Sequence, residues 1–147
     1  MTTKESIIHE LKVKGLKITP QRLAIIDVLI EQKEAHPGAS LIFREARKRA
    51  KDISLSTVYA TLNELANHGV IKMLQFDRAE NRYEGNLAEH VNLVCNKCRK
   101  IVDYMFPVSI DPKEIAEKTG FDITDTRLEY YGYCEECSKE NPRRLQH

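Results

Sequence analysis

The amino-acid sequence predicts an α+β fold in two domains, residues 1–84 and residues 85–147. Four segments with a helical spacing of apolar residues lie before residue 70, and two short strand-like segments follow them. The last part has short strands around one helix, and it holds all 4 cysteines of the chain in two Cys-x-x-Cys pairs. We therefore expect a helical domain that ends in a β-hairpin, followed by a small α/β domain.

The first two helices have recognisable boundaries. One is predicted over residues 3–14, where Gly15 ends it. The other is predicted over residues 20–34, because Thr19 is a favourable N-cap and Pro20 suits the first helical position. The residues expected to be buried by these helices are apolar: Ile7, Ile8, Leu11, Leu23, Ile26, Val28 or Leu29, and Ile30.

A third helix follows a break in the chain. His36-Pro37-Gly38 interrupts the helical pattern, and Ser40 begins a helix over residues 41–51. Basic side chains are frequent in this helix, which is typical of a solvated helix face and does not by itself indicate a partner. The basic side chains are Arg44, Arg47, Lys48, Arg49 and Lys51.

The fourth helix has the clearest pattern. Hydroxyl groups over residues 54–57 can cap its start, and His68-Gly69 ends it. Between these boundaries Val58, Leu62 and Leu65 are spaced so that they form one buried stripe. The helix is therefore expected to present its other face to solvent or to a partner.

A β-hairpin is predicted directly after the fourth helix. Residues 70–76 and 82–84 have strand-like composition, and a turn at residues 77–81 joins them. Several helices followed by a hairpin is the order of a winged helix-turn-helix, in which the last helix enters the major groove of double-stranded DNA. A polar helix face without a partner has a similar composition. If DNA is bound, the side chains expected at it are Ser54, Ser56, Thr57, Tyr59, Thr61 and Asn63.

The second domain is predicted to be a small sheet with one helix. Strands are expected at residues 90–95, 101–104 and 121–133. Asp111 opens a short helix over residues 112–119. Exposed edges on so small a sheet favour pairing with a second copy of the chain, so a homodimer is expected.

The four cysteines predict a structural metal site. Cys95, Cys98, Cys134 and Cys137 can supply four thiolates to one tetrahedral Zn²⁺. The 35 residues between the two pairs exceed a usual zinc-ribbon loop, so the ion would join two ends of a domain. Two disulfides are an alternative. A redox Cys-x-x-Cys is another, but neither pair is predicted at a helix N-terminus within a βαβ unit.

Composition limits the function classes. The net charge is +1, with 14 Lys and Arg against 11 Asp and Glu over residues 1–85 and 9 against 11 over residues 86–147. A slightly basic first part allows contact with nucleic acid. There is no signal-peptide pattern at the start, no apolar run of membrane length and no motif of a common enzyme class. These features predict a cytoplasmic protein that is not an enzyme, with reduced thiols.

A second group of possible metal ligands lies near the junction of the domains. It comprises His36, Glu84, His90, Asn92 and Asp103. Imidazole and carboxylate groups together suit Zn²⁺, Fe²⁺ or Mn²⁺. A site with ligands from both domains would fix their angle and couple metal binding to DNA affinity. Each residue alone also has an ordinary explanation, as a helix cap, a solvated strand end or a surface side chain.

Several motifs together resemble the ferric uptake regulator (Fur) family over nearly the whole chain. The matching segments are Thr19-Pro20-Gln21-Arg22, His36-Pro37, Ile53-Ser-Leu-Ser-Thr-Val-Tyr59, Thr61-Leu62, Arg82-Tyr83-Glu84-Gly85 and both cysteine pairs. The resemblance implies a homodimeric, metal-dependent transcriptional repressor without a small-molecule substrate. It implies structural Zn²⁺ at the cysteines and regulatory Fe²⁺ or Mn²⁺ at the second group. It also adds Arg22 to the residues expected at a DNA operator.

The residues do not all resemble the same branch of the family. The intact cysteine pairs and Asp103 resemble the peroxide-sensing (PerR-type) branch, whereas Glu84 resembles the iron-uptake branch. Asn92 stands where the family usually has a ligating histidine, and Ala60 stands where an arginine usually follows Tyr59. We expect a PerR-like repressor. The alternatives are an iron-uptake-type regulator with a weakened site, and a zinc-stabilised adaptor without metal-dependent operator binding.

Overall fold

The computed structural model describes residues 3–76, 79–85, 90–105 and 111–140 of the chain. It divides into two compact units, Met1–Ala88 and Glu89–His147. The described part of the first unit contains α-helices and a two-stranded hairpin, and that of the second contains a three-stranded sheet and two helices. The α+β class predicted from the sequence is confirmed.

Both of the first two helices begin with a side-chain cap, and the cap of the second was predicted. Helix α1 is Lys4–Val13, and Thr3 forms a capping box at its start. Helix α2 is Pro20–Glu31, and the Thr19 hydroxyl accepts a hydrogen bond from a backbone N–H of its first turn. The prediction that this helix reaches residue 34 was wrong, because the chain tightens into a 3₁₀ turn at Lys33–Ala35.

Helix α3 is Ala39–Ala46, so it starts earlier and ends earlier than the predicted 41–51. One further turn follows, in which the Ala50 N–H donates to the Ala46 carbonyl. The chain then brings Ile53 into the core, where it is 4% exposed. A continued helix would carry this apolar side chain along the helix axis and away from the core.

Helix α4 and the hairpin have the predicted order. Helix α4 is Leu55–Asn67, and the Ser54 hydroxyl caps it. Strands β1, Lys72–Leu74, and β2, Arg82–Glu84, pair antiparallel. The predicted turn between them lies partly outside the described residues, at positions 77 and 78.

The buried face of helix α2 in the core of the first unit is broader than the sequence pattern predicted. Leu23, Ile30 and Ile8 are only half-buried, whereas Ala24 and Ile25 are buried. The reason is that α2 packs against α1 on one side and against α3 on the other, so its buried face is broader than a single stripe. The fully buried apolar side chains include Leu11, Ile25, Ile26, Ile42, Val58, Leu62 and Leu65.

The second unit is built on strand β3, Val91–Cys95. It pairs antiparallel with β4, Ile101–Tyr104, and parallel with β5, Glu129–Gly132. Helix α5, Pro112–Thr119, lies between β4 and β5 in the chain, as predicted. The third strand is shorter than the predicted 121–133, because residues 121–128 have no regular structure.

A last short helix, α6, was not predicted. It spans Glu135–Lys139, and Cys134 is its N-cap residue. The second cysteine pair therefore lies at the N-terminus of a helix that the sequence did not predict. The unit still lacks a βαβ arrangement around α6 in the described residues, since β5 precedes α6 and no described strand follows it. In the described part of the chain, no helix combines the length and the apolar character that crossing a membrane requires.

Candidate metal centres and DNA-binding face

The sheet of the second unit brings the two cysteine pairs together. Strand β3 ends at Cys95, and a turn with Arg99 at φ +67° reverses the chain into β4. Strand β5 runs parallel to β3 and places Gly132 opposite Cys95. The Asn96 N–H donates to the Gly132 carbonyl at 2.8 Å, which fixes the second pair beside the first. The sheet register therefore determines the position of Cys134.

The four sulfur atoms have the spacing of one tetrahedral metal site. All four Sγ atoms lie within 4.8 Å of one another. The Sγ atoms of Cys98 and Cys134 are 3.7 Å apart. Four thiolates on one Zn²⁺, with Zn–S bonds of about 2.3 Å, would have their sulfurs about 3.8 Å apart. The donor set and its spacing thus fit Zn²⁺, whereas a disulfide would need a much shorter S–S distance of about 2.05 Å.

The protonation states of the thiols also favour a shared cation. Burial of Cys95 opposes its ionisation, but backbone N–H groups of Cys134, Cys98 and Lys97 outweigh it and lower the pKa of Cys95 to about 6. The pKa of Cys137 rises to about 12, mainly through its hydrogen bond with the Cys134 side chain and through burial. Four thiols this close repel one another when ionised, and a divalent cation removes that repulsion.

An imidazole and a carboxylate face each other inside the first unit. His36 is 1% exposed and Glu84 is 3% exposed. The Nε2 atom of His36 lies 3.5 Å from Oε2 of Glu84, and its Nδ1 lies 3.3 Å from the Glu34 carbonyl. The carbonyl contact orients the ring so that Nε2 points to the carboxylate. A buried imidazole next to a buried carboxylate is a donor pair that divalent cations use.

The second unit contains a similar pair. The Nε2 atom of His90, which is 8% exposed, lies 3.7 Å from Oδ1 of Asp103. Asn92 lies opposite Asp103 in the β3–β4 ladder. The Asn92 side chain is 4% exposed, and its amide Oδ1 receives no hydrogen bond from any residue that the structure describes. A buried amide oxygen without a donor costs free energy, and a cation can supply the missing contact.

The predicted DNA-binding side chains are not all on one face. Ser54, Ser56, Tyr59 and Asn63 are exposed, and Tyr59 is 43% exposed. The Ser54 hydroxyl also bonds the hydroxyls of Ser56 and Thr57 at 3.0 and 2.9 Å, so the first turn of α4 presents a cluster of hydroxyl groups.

Thr61 and Arg22, which the sequence places among the residues at DNA, contact other residues of the first unit. Thr61 is 6% exposed, because it lies beside Val58, Leu62 and Leu65 on the inner face of α4. Arg22 forms an ion pair with Glu64 at 2.5 Å and donates to the Lys17 carbonyl at 2.7 Å. Its guanidinium therefore links α2 to α4 within the unit. The sequence could not indicate this, since 42 residues separate Arg22 from Glu64.

A further residue near His36 was not singled out from the sequence. Arg82 donates hydrogen bonds to the carbonyls of Ala35 and His36. The available signal was its spacing from Glu84, because residues two apart on a strand point to the same face. Arg82 therefore belongs to the surroundings of the His36–Glu84 pair.

The comparisons with known proteins agree with this arrangement. The sequence profile of the ferric uptake regulator family matches residues 13–131. The chain is 36% identical over 144 residues to the peroxide-responsive repressor PerR of Staphylococcus epidermidis, covering 92% of this chain and 95% of that protein.

Two solved structures extend the similarity to the fold. The Helicobacter pylori ferric uptake regulator Fur, which has three functional metal-binding sites, matches with a TM-score of 0.70 at 27% identity, over 93% of this chain and 95% of that one. The peroxide-sensing gene regulator PerR from Streptococcus pyogenes matches with a TM-score of 0.53 at 33% identity, over 93% of this chain and 94% of that one.

Proposed function

Because the chain belongs to the ferric uptake regulator family, we propose that it is a metal-dependent, DNA-binding transcriptional repressor of the peroxide-responsive type. The observation that carries this proposal is the presence of two imidazole–carboxylate pairs, His36 with Glu84 and His90 with Asp103, in a chain 36% identical to a peroxide-responsive repressor. It would act in the cytoplasm, where its cysteines stay reduced.

Zn²⁺ at Cys95, Cys98, Cys134 and Cys137 is proposed to have a structural role. The spacing of the sulfur atoms supports this, as does the position of the site between the ends of β3 and β5. Four thiolates leave no open position on a tetrahedral ion, which is the usual difference between a structural and a catalytic zinc site.

A regulatory metal is proposed to be held by His36, Glu84, His90, Asn92 and Asp103. A metal bound by ligands from both units would restrict the relative orientation of those units. Metal binding would in this way change the affinity for DNA. Bound Fe²⁺ would supply redox chemistry toward peroxide, whereas Mn²⁺ would supply charge and coordination without it. Four buried donors, His36, Glu84, His90 and Asn92, and the more exposed Asp103 carboxylate support this ligand set.

The DNA partner is proposed to be a two-fold symmetric operator bound by a homodimer. The exposed hydroxyl groups at the start of α4 and the ring of Tyr59 suit contacts to phosphate and to base edges. A dimer would place two such helices on two half-sites. Ala60, which is also exposed, removes the positive charge that relatives usually have there and would change operator preference.

Fluorescence anisotropy of the zinc-loaded protein on DNA from upstream of its own gene tests the proposal. We expect Mn²⁺ to tighten binding by about 5- to 150-fold, the usual range of coupling between two sites. We also expect binding to weaken steeply as salt increases. Binding that does not depend on Mn²⁺ would contradict metal regulation. A lack of binding to this DNA and to a library of promoter fragments would favour a protein-binding adaptor.

Tyr59→Ala is predicted to weaken operator binding by about tenfold, which corresponds to about 1.4 kcal/mol. The ring is exposed on the outer face of α4, so its loss removes a contact without disturbing the core. Asn67→Ala, at the exposed C-terminal end of the same helix, is the matched control and should bind as the wild type does. Full retention of affinity in the Tyr59 variant would show that this face of α4 does not meet DNA.

Asn92→His is predicted to raise Mn²⁺ affinity by about tenfold. Imidazole is a better ligand than a neutral amide oxygen for first-row transition metals, and the position is buried beside Asp103. Leu93→His is the matched control, because the neighbouring residue of a strand points to the opposite face. Isothermal titration calorimetry of the zinc-loaded proteins with Mn²⁺ measures the Mn²⁺ affinity of each variant. Equal affinities of the wild type and the Asn92 variant would place residue 92 outside the ligand set.

A further inference from the structure

The loop that carries His36 has an unusual backbone conformation. His36 follows the 3₁₀ turn and lies in the left-handed region, at φ 48° and ψ 70°. A residue with a β-carbon adopts this conformation only where its surroundings impose it. The same residue is 1% exposed and directs Nε2 to Glu84. The contacts that impose the backbone conformation therefore also set the position of a proposed metal ligand.

The Arg82 side chain donates hydrogen bonds to this loop. Its Nη1 donates to the carbonyl of Ala35 and to the carbonyl of His36, each at 2.8 Å. These two carbonyls are consecutive in the chain, and the left-handed backbone between them lets both reach one nitrogen. Hydrogen bonds from a charged donor are stronger than those from a neutral one.

The backbone of strand β2 also forms hydrogen bonds with the His36 loop. The Tyr83 N–H donates to the Pro37 carbonyl at 2.9 Å, and Gly38 forms an isolated antiparallel bridge with Arg82. Arg82 and Glu84 lie two residues apart on β2, so their side chains point to the same face. Strand β2 thus supplies both the hydrogen bonds that hold the His36 loop and the carboxylate that His36 faces.

The far end of the loop is held by the hairpin as well. The Glu80 carboxylate accepts a hydrogen bond from the Ser40 hydroxyl at 2.6 Å, in the first turn of α3. Gly38 leaves room for this contact, because a Cβ at that position would lie 2.0 Å from Oε1 of Glu80. The loop is therefore attached to the hairpin at its start and at its end.

We infer that Arg82 is a positioning residue of the regulatory metal site, which holds His36 Nε2 toward Glu84 before a metal is bound. The inference rests on the proposed function, since it gives Arg82 a role toward the same ligands. Orienting a ligand in advance lowers the ordering cost of binding. Loss of the Arg82 side chain would release the carbonyls of Ala35 and His36, and part of the metal affinity would be lost in ordering this backbone again.

Titration of the zinc-loaded protein with Mn²⁺, with free Mn²⁺ measured by electron paramagnetic resonance, tests the inference. Arg82→Met should weaken Mn²⁺ binding by about 10- to 100-fold, the range usual for groups that orient metal ligands. Arg82→Lys, which keeps a charged donor, should recover most of the affinity. Arg44→Met replaces an exposed arginine of the same unit and should bind Mn²⁺ as the wild type does.

The same titration separates this inference from the proposed function. His36→Ala should abolish the Mn²⁺ binding. If His36→Ala binds Mn²⁺ normally, the proposed site itself is wrong, and the inference is overturned with it. If His36→Ala loses binding but Arg82→Met keeps the wild-type affinity, only the inference about Arg82 is overturned. Should Arg82→Met fail to fold, judged by its melting temperature and zinc content, Arg82→Gln replaces it, and unchanged affinity there overturns the inference.

Discussion

Replacement of His36 by alanine is expected to remove the effect of Mn²⁺ on DNA binding and to leave the structural zinc in place. His36 supplies the imidazole of the first unit, and its Nε2 lies 3.5 Å from the Glu84 carboxylate. Changes to groups that merely orient metal ligands cost about 10- to 100-fold in metal affinity, so loss of a ligand should cost at least as much. The site would then stay empty at Mn²⁺ concentrations that saturate the wild type.

The measurement is operator anisotropy with and without Mn²⁺, together with the zinc content of each protein. His9→Ala is the matched control, because His9 is exposed on α1 and lies outside both proposed sites. The variant should bind DNA with the affinity that the wild type shows without Mn²⁺, and its zinc should be unchanged. A response to Mn²⁺ equal to that of the wild type would remove His36 from the ligand set.

The helices of the first unit could be predicted because their signals are local. Thr19 and Ser54 cap helices where the sequence indicates, and Gly15 and Gly69 adopt the left-handed conformation just after α1 and α4. Apart from the bounds of α2 and α3, the errors concern burial. Thr61 is buried and Leu23 is only half-buried, because burial depends on which neighbouring helices pack against each face.

For the candidate regulatory site, residue chemistry alone suggested only a possible metal site, and the family resemblance implied its regulatory role. His36 and Glu84 are far apart in the chain, and the hairpin brings them together by pairing with the His36 loop. Taken alone, each residue type has common structural uses. The contacts of Arg82 with the His36 loop were not predicted for the same reason, since they cross 46 and 47 residues and involve backbone carbonyls that no side-chain pattern reveals.

The cysteine site was predictable from spacing, because two Cys-x-x-Cys pairs have few other uses in a reducing compartment. The short length of β5 and the presence of α6 were not predictable from the sequence. Residues 121–128 have strand-like composition, but strand pairing starts only at residue 129, opposite Asn92. The extent of β5 is therefore set by its partner β3 and by the need to deliver Cys134 beside Cys95.

Replacement of Cys95 by serine is expected to release the zinc and to unfold the second unit. Cys95 is 3% exposed, and it ends the central strand of a sheet that has three short strands in the described residues. Serine does not ionise near neutral pH and is a poor zinc ligand. Structural Zn²⁺ contributes about 10–16 kcal/mol to the folding of zinc-finger peptides, whereas whole domains have a free energy of unfolding of about 5–15 kcal/mol. A sheet this small has little stability to replace that contribution.

Zinc content by atomic emission and the circular dichroism of the full chain measure this effect. The wild type should hold about one zinc per chain at the four-thiolate site, and the variant almost none. Ser138→Ala is the matched control, because Ser138 lies in α6 next to Cys137 and its hydroxyl donates to the Tyr133 carbonyl. A Cys95→Ser protein with full zinc and an unchanged melting temperature would show that the four cysteines do not share one structural ion. The stability of the second unit would then have to come from its sheet and from pairing with a second copy.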